Sequence, residues 1–171
     1  MDGLRPTGDR IRETLFNWLA PDLPESRCLD LFAGSGALGF ESLSRGANMV
    51  LMLEKHPSAH QWLIKNVQKL EAQNAKIELT DSLRSLAQKP AVAFDIVYLD
   101  PPFSADLCQQ AAELLEANEW LTPNARIYVE LPKDHPFAAP PSWTLHRNKI
   151  AGAVSYRLYY REPINAPDST D

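Results

Sequence analysis

The sequence predicts an α/β fold in which a seven-stranded, mostly parallel sheet ends in an antiparallel hairpin. Three observations support this prediction. The stretch 94–99 is almost continuously apolar, which is typical of a strand buried on both faces of a parallel sheet. Short strand-like runs alternate with segments of helical periodicity as far as residue 130, which is the pattern of βαβ units. Two more strand-like runs then follow each other directly, as in a hairpin.

Length and composition are those of one globular domain. The chain has 171 residues, of which 44% are hydrophobic and 23% are charged. We expect one domain over residues 1–162 and a disordered, polar tail at 163–171. No apolar run has the length of a membrane span and no signal-peptide core is visible, so a cytoplasmic protein is expected. The net charge of −5 argues mildly against a general nucleic-acid binder.

The cysteines and histidines predict no metal site. Cys28 and Cys108 are far apart in the chain, and no histidine or second cysteine lies at metal-ligand spacing from either. The four histidines form no HExxH-type set. We therefore expect two reduced thiols in the core.

The first half of the chain predicts three strands, each followed by a helix. An amphipathic helix comes first, from about Asp9, and Pro21 stops it. Further helices begin near Ala37, Pro57 and Ser82, where a glycine loop, a proline at the first turn and a possible N-cap precede apolar residues at helical spacing. The predicted strands are 27–32, 48–53 and 76–80.

The second half predicts four strands and one helix. Asp100, Pro101 and Pro102 end the strand 94–99 abruptly, because proline cannot donate to a strand ladder. Ser104 is the expected cap of the next helix, with Asp106 in its first turn. The remaining predicted strands are 126–130, 143–150 and 154–161, the last two joined near residues 151–152.

The glycine loop at 33–39 predicts a ligand that the backbone approaches closely. Gly34, Gly36 and Gly39 leave room for that approach, and the following helix points its free N–H groups at the ligand. Glu54, at the end of the second strand, completes a dinucleotide fingerprint. The same loop and acid suit S-adenosylmethionine equally well. The glycines alone therefore do not separate a nicotinamide enzyme from a methyltransferase.

The turn from Asp100 to Phe103 favours a methyltransferase. The Asp100 carboxylate and the Pro101 carbonyl can both accept hydrogen bonds from one planar amino group, and Phe103 can stack on the ring that carries it. This turn has no role in hydride transfer. The alternative interpretation is a strand-ending turn with Phe103 in the core.

Five motifs together resemble one family. They are RPTGDRIRETLFNWL, LDLFAGSGALGFESLSRGA, LEKHPSA, FDIVYLDPPF and YRLYYRE. In these motifs the chain, as far as about Glu162, is similar to the RsmD family of 16S ribosomal RNA guanine-N2 methyltransferases. Members usually carry a basic, strand-forming segment before the first motif, where Met1 and Asp2 stand here. The resemblance implies a Rossmann-like class I methyltransferase fold, S-adenosyl-L-methionine as cofactor and a 16S ribosomal RNA partner.

The resemblance also implies roles for single residues. Asp30 and the glycine loop would hold the methionine part, although Asp30 can instead cap the loop. Glu54 would bond the ribose hydroxyls, and Asp81 would either accept from the adenine amine or cap the helix at Ser82. The expected cofactor contacts are Asp30, Phe32, Ala33, Gly34, Ser35, Gly36, Glu54, Lys55, Asp81 and Ser82. The expected catalytic residues are Asp100, Pro101, Pro102 and Phe103, without a metal.

The final hairpin is the most basic stretch of the chain. Residues 143–161 contain four Lys or Arg and no Asp or Glu. The strand period of two places Arg157, Tyr159 and Arg161 on one face. We expect these three residues, with Arg5 and Arg10, to contact RNA. The protein would act as a monomer, on naked RNA or on a partly assembled small subunit. An ordinary charged edge strand is the alternative.

Two other functions fit the same motifs. An adenine-N6 or cytosine-N4 DNA methyltransferase also uses an Asp-Pro-Pro-aromatic turn, but the chain shows no evident domain for reading DNA sequence. A non-catalytic cofactor-binding module of ribosome assembly is the other, and the intact Asp100 argues against it. Glu130 is a further carboxylate at a strand end, for which the sequence predicts no role.

Overall fold

The computed structural model describes residues 8–101 and 106–162. Arg5, Pro102, Phe103, Ser104 and the tail at 163–171 lie outside these ranges, so the predictions made for them are not addressed by the structure.

Helices and strands alternate along the described chain as far as β5, as predicted. The helices are α1 Gly8–Leu19, α2 Ala37–Ser44, α3 Pro57–Leu70, α4 Ser82–Leu86 and α5 Asp106–Ala117. The strands are β1 Arg27–Asp30, β2 Met49–Glu54, β3 Ala75–Leu79, β4 Phe94–Leu99, β5 Leu121–Pro132, β6 Trp143–Ala151 and β7 Val154–Arg161. No helix in these ranges has the length and hydropathy to cross a membrane.

All seven strands form one sheet with the order β3-β2-β1-β4-β5-β7-β6. The first five strands are parallel, and β7 pairs antiparallel with both β5 and β6. The predicted mostly parallel sheet with an antiparallel hairpin is therefore confirmed. Strand order reverses between β1 and β4, and the crevice beyond the carboxyl ends of such strands is where open α/β sheets bind ligands.

Both faces of the sheet are buried at the central strands β1 and β4, which explains the almost continuous apolar run of β4. On one face Leu29 and Val97 pack against Leu115 of α5. On the other face Tyr98 joins Leu15 and other apolar side chains of α1, α2 and α3. Alternate residues of one strand thus enter different cores, and none of them needs to be polar.

Helix α3 buries less of its apolar stripe than the sequence predicts. Ala59, Trp62, Leu63, Val67 and Leu70 recur at helical spacing, but only Leu63 is buried. Trp62 and Leu70 are 58% and 60% exposed. The helix lies over the outer strands β2 and β3. Because the helix packs on the margin of the sheet, its contact with the strands is narrow and buries only one line of its side chains.

The hairpin places its first strand, and not its second, at the edge of the sheet. β7 lies inside the sheet between β5 and β6, and β6 is the edge strand. Tyr156, Leu158 and Tyr159 are all buried, although they belong to opposite faces of β7. The face that carries Arg157, Tyr159 and Arg161, expected to contact RNA, is therefore packed at Tyr159 and half-buried at the two arginines.

Candidate functional site

Two cavities open at the carboxyl ends of the central strands. The larger, of about 350 Å³, is lined by the loop residues Gly34 and Ser35, by the strand ends at Asp100 and Glu130, and by α1. The smaller, of about 190 Å³, is lined by residues that follow β2 and β3. Phe32 lines both. The crevice at the switch point therefore has two compartments that meet at Phe32.

The glycine loop requires glycine at Gly36 for two reasons. Its φ of +83° lies in the left-handed region, and a Cβ atom would come within 2.5 Å of Phe40 and 2.6 Å of Leu63. Its N–H donates to the Ala33 carbonyl at 2.8 Å, which closes the turn. Helix α2 begins at the next residue, so its first turn faces the larger cavity.

Glu54 holds the glycine loop against the end of β2. Its Oε1 accepts the Gly34 N–H and its Oε2 accepts the His56 N–H, both at 2.9 Å. The side chain is buried but lines the smaller cavity beside the exposed Lys55. Its carboxylate therefore fixes two loops and also faces the compartment, as a ribose contact requires. The ribose contact itself stays a prediction.

Asp30 lies beneath the loop. It is 2% exposed, and burial raises the pKa of its carboxyl group to about 7, against the Phe32 N–H that donates to it. The charge of Glu54 is a smaller cause of this rise in the pKa. A positive ligand nearby would favour the ionised form. The geometry fits the loop-capping role, and the methionine contact stays a prediction.

Asp81 and Ser82 close the far side of the smaller cavity. Asp81 is the N-cap of α4, and its Oδ1 accepts the Arg84 N–H at 3.2 Å. The Ser82 hydroxyl donates to the Leu31 carbonyl, which ties α4 to the end of β1. The capping role of Asp81 is thus present, and both residues line the cavity where an adenine amine is predicted.

Asp100 lies directly beyond β4 and is half-buried in the larger cavity, opposite the glycine loop. Pro101 follows it and is half-buried as well. The structure thus brings the predicted amine acceptor and the predicted cofactor loop to one cavity, although they are more than 60 residues apart in the chain.

Sequence reasoning missed Tyr128 and the lining supplied by α1. The Tyr128 hydroxyl donates to Glu130 Oε1 at 2.6 Å, and both residues line the larger cavity. Asp9 and Arg12 of α1 line it too, and they pair with each other at 2.6 Å. The alternation of β5 places Tyr128 and Glu130 on one face, so that signal was present in the sequence.

The predicted RNA contacts of the hairpin do not form one open surface. Tyr159 is 5% exposed. Arg157 donates to the Ser155 and Tyr159 hydroxyls at 2.9 and 3.3 Å. Arg161 donates to both oxygens of Glu116 at 2.8 and 3.2 Å. The two arginines thus bond to neighbouring side chains of the protein, whereas Arg10 is exposed on α1.

Arg161→Ala is expected to lower the free energy of unfolding at pH 7 by about 1–3 kcal/mol, because it leaves the partly buried Glu116 carboxylate short of its main partner. Burial alone raises the pKa of Glu116, but hydrogen bonds from Arg161 and Trp143 outweigh it and hold the pKa below the ordinary 4.5. The stabilisation is full above that ordinary value and is lost as pH falls through the lowered pKa. Urea unfolding at pH 7 and pH 3 measures both effects.

The exposed Arg147 on β6 supplies the matched control, and Arg147→Ala should change stability by less than about 0.5 kcal/mol. If Arg161→Ala left the unfolding curve unchanged and weakened RNA binding, Arg161 would be an RNA contact and not a structural one.

Comparison with known proteins places the chain in a family. The family model described as conserved hypothetical protein 95 matches residues 1–160. A Haemophilus influenzae relative named ribosomal RNA small subunit methyltransferase D is 51% identical in an alignment of 163 positions that covers 92% of this chain and 83% of that protein.

Solved structures of similar proteins have the same fold as this chain. The Escherichia coli protein yhhF is 48% identical, with a TM-score of 0.87 over 94% of this chain and 89% of that one. An RNA methyltransferase from Salinibacter ruber, solved with S-adenosyl-L-homocysteine, is 15% identical with a TM-score of 0.70 over 98% and 99% of the two chains, and it shows the Rossmann-like methyltransferase fold alone. The chain therefore belongs to the conserved hypothetical protein 95 family, which is the RsmD family that its motifs predict.

Proposed function

We propose that this chain transfers the methyl group of S-adenosyl-L-methionine to the exocyclic N2 amine of a guanine in 16S ribosomal RNA. Membership of the family makes it an S-adenosylmethionine-dependent ribosomal RNA methyltransferase. The single observation that supports the finer assignment is the shared cavity of Asp100 and the glycine loop, because it places an acceptor for an amine beside a loop suited to the methyl donor.

The two compartments fit the two halves of the cofactor. The smaller one offers Glu54 for ribose hydroxyls and Asp81 for an adenine amine, and its apolar wall includes Leu83 and Leu107. The larger one is lined by the backbone of Gly34 and Ser35, where the methionine part would lie. At Gly36 a side chain would collide with Phe40 and Leu63, so the close turn of the loop depends on glycine.

Asp100 and Pro101 supply positioning. The lone pair of a guanine amine is delocalised into the ring, which makes the nitrogen a poor nucleophile. Two hydrogen bonds, to the Asp100 carboxylate and the Pro101 carbonyl, favour a more tetrahedral nitrogen and orient its lone pair. S-adenosylmethionine, when bound, supplies an activated, positively charged methyl group. The proton that the methylated amine loses passes to the Asp100 carboxylate, which already accepts its hydrogen bond.

RNA would approach across α1 and the edge of the sheet. Arg10 is exposed on the helix that lines the larger cavity, and Arg147 and Lys149 are exposed on β6. These cations can neutralise phosphates although the net charge is −5. The substrate would be 16S ribosomal RNA in the cytoplasm, naked or in a partly assembled small subunit, with the enzyme acting as a monomer.

Calorimetry separates the two interpretations of the glycine loop. The chain is expected to bind S-adenosylmethionine and to give no heat with NAD, because Asp100 lines the same cavity as the loop, where a nicotinamide enzyme would need a hydride acceptor site. Tight NAD binding without S-adenosylmethionine binding would overturn the assignment.

The modified nucleoside tests the substrate. After methyl transfer to 16S ribosomal RNA and digestion to nucleosides, mass spectrometry should find N2-methylguanosine. N6-methyladenosine or N4-methylcytidine as the product would refute the guanine assignment while leaving the cofactor assignment intact.

A further inference from the structure

We infer that Glu130 selects the target base, by accepting the N1–H of guanine beside the N2 amine that Asp100 accepts. This inference rests on the proposed function and deepens it, because it names the residue that distinguishes guanine from the other two amine-bearing bases.

Sheet register places the two carboxylates side by side. Leu99 of β4 pairs with Val129 of β5 in parallel, so the residues that follow, Asp100 and Glu130, are neighbours at the same sheet edge. Both line the larger cavity. Adjacent parallel strands lie about 4.8 Å apart, so the two side chains can bring carboxylate oxygens to neighbouring donors on one base edge. The cavity therefore presents two acceptors in a row.

Tyr128 fixes the orientation of Glu130. Its ring is 1% exposed, and its hydroxyl donates to Glu130 Oε1 at 2.6 Å. Burial, together with the charge of Glu130, raises the pKa of Tyr128 well above its ordinary value, so the hydroxyl keeps its proton and stays a donor. The two oxygens of a carboxylate offer about four lone-pair sites, which is more than the Tyr128 bond and one substrate bond require.

The side of Glu130 away from Asp100 is closed by aromatic packing. Tyr156 of β7 lies opposite Glu130 in the register and is 4% exposed. The Trp18 ring of α1 stacks on the Tyr156 ring, with the two ring centroids 5.4 Å apart. Glu130 is therefore held between Asp100 on one strand and a packed tyrosine on the other, which favours its carboxylate facing the cavity.

Two neighbouring carboxylates accept hydrogen bonds and donate none. Guanine suits them, because its N1–H and its N2 amine are adjacent donors. Adenine and cytosine each place an unprotonated ring nitrogen beside the amine, and that lone pair would face the Glu130 carboxylate. A buried site built to accept a hydrogen bond strongly rejects an analogue that lacks the donor.

The test uses 2-aminopurine, which keeps the 2-amine but carries an unprotonated N1. The guanine methylated by the wild type is mapped in 16S ribosomal RNA, and the same RNA is prepared with guanosine or 2-aminopurine riboside at that position. Glu130→Gln preserves shape and offers an amide N–H to the unprotonated N1. The ratio of kcat/KM for guanine to that for 2-aminopurine should fall at least tenfold in this variant. Tyr128→Phe should lower the same ratio by a smaller factor.

Taking the ratio within each variant cancels any loss of folded protein or of cofactor affinity. Glu113→Gln, at an exposed position of α5, is the matched control and should leave the ratio unchanged. A ratio within twofold of wild type in Glu130→Gln overturns the inference. If that variant fails to fold, an unchanged ratio in Tyr128→Phe overturns it. A wild type that methylates no guanine N2 refutes the proposed function instead, so the two failures are distinguishable.

Discussion

Asp100→Ala is expected to lower the single-turnover rate of methyl transfer by about 10²-fold or more, because the loss of an aligned acceptor at the reacting nitrogen costs on the order of 3 kcal/mol. The fold and most of the S-adenosylmethionine affinity should remain. Asp100 lies in a cavity after the end of β4, outside both cores, and its predicted partner is the substrate amine. Rapid-quench transfer of labelled methyl to 16S ribosomal RNA measures the rate, and calorimetry measures the affinity.

Asp95 provides the matched control, because it belongs to the same strand at the opposite edge of the sheet. It accepts the Arg27 N–H at 2.8 Å. Asp95→Asn should leave methyl transfer at the wild-type rate. An unimpaired rate in Asp100→Ala would refute the proposed mechanism. A proportional loss of S-adenosylmethionine affinity in that variant would mean that Asp100 holds the cofactor and not the amine.

The fold could be predicted because its signals are local. The apolar run of β4, the proline stop after Asp100 and the glycines before α2 each act within a few residues. Their meaning does not depend on which strand lies next to them. Helix α3 was predicted less well for the opposite reason. Its apolar stripe was correct, but how much of it is buried depends on its place at the sheet margin, where Trp62 stays exposed.

The candidate site could be predicted only in part for a similar reason. Asp100 and Glu54 were named as candidates because each lies at the carboxyl end of a strand, at a ligand-binding edge of the sheet. Tyr128 was missed because its importance depends on the register between β4 and β5, which no local pattern specifies. Arg161 was assigned to RNA from a count of basic residues, and its partner Glu116 lies 45 positions away. A charge pattern within one segment does not reveal a partner in another.

Gly36→Ala is expected to lower the free energy of unfolding by about 3 kcal/mol, from two costs that act together. A left-handed conformation costs a residue with a side chain about 1–2 kcal/mol. Overpacking costs a further 1–3 kcal/mol or so, since the new methyl group would lie 2.5 Å from Phe40 and 2.6 Å from Leu63. Leu63 is fully buried, so its side chain can withdraw only if the core around it repacks. The melting temperature should fall by roughly 10 °C for a chain of this size.

Gly34→Ala isolates the backbone cost, because Gly34 also has a positive φ, of +54°, but nothing lies within 4 Å of the added methyl group. Its free energy of unfolding should fall by only about 1 kcal/mol. Since Gly34 lines the larger cavity, this variant should instead bind S-adenosylmethionine more weakly. Urea unfolding followed by circular dichroism, with calorimetry of both variants, measures the two effects. Equal destabilisation by the two substitutions would show that the side chains around Gly36 move aside at little cost in free energy, and that only its backbone conformation requires glycine.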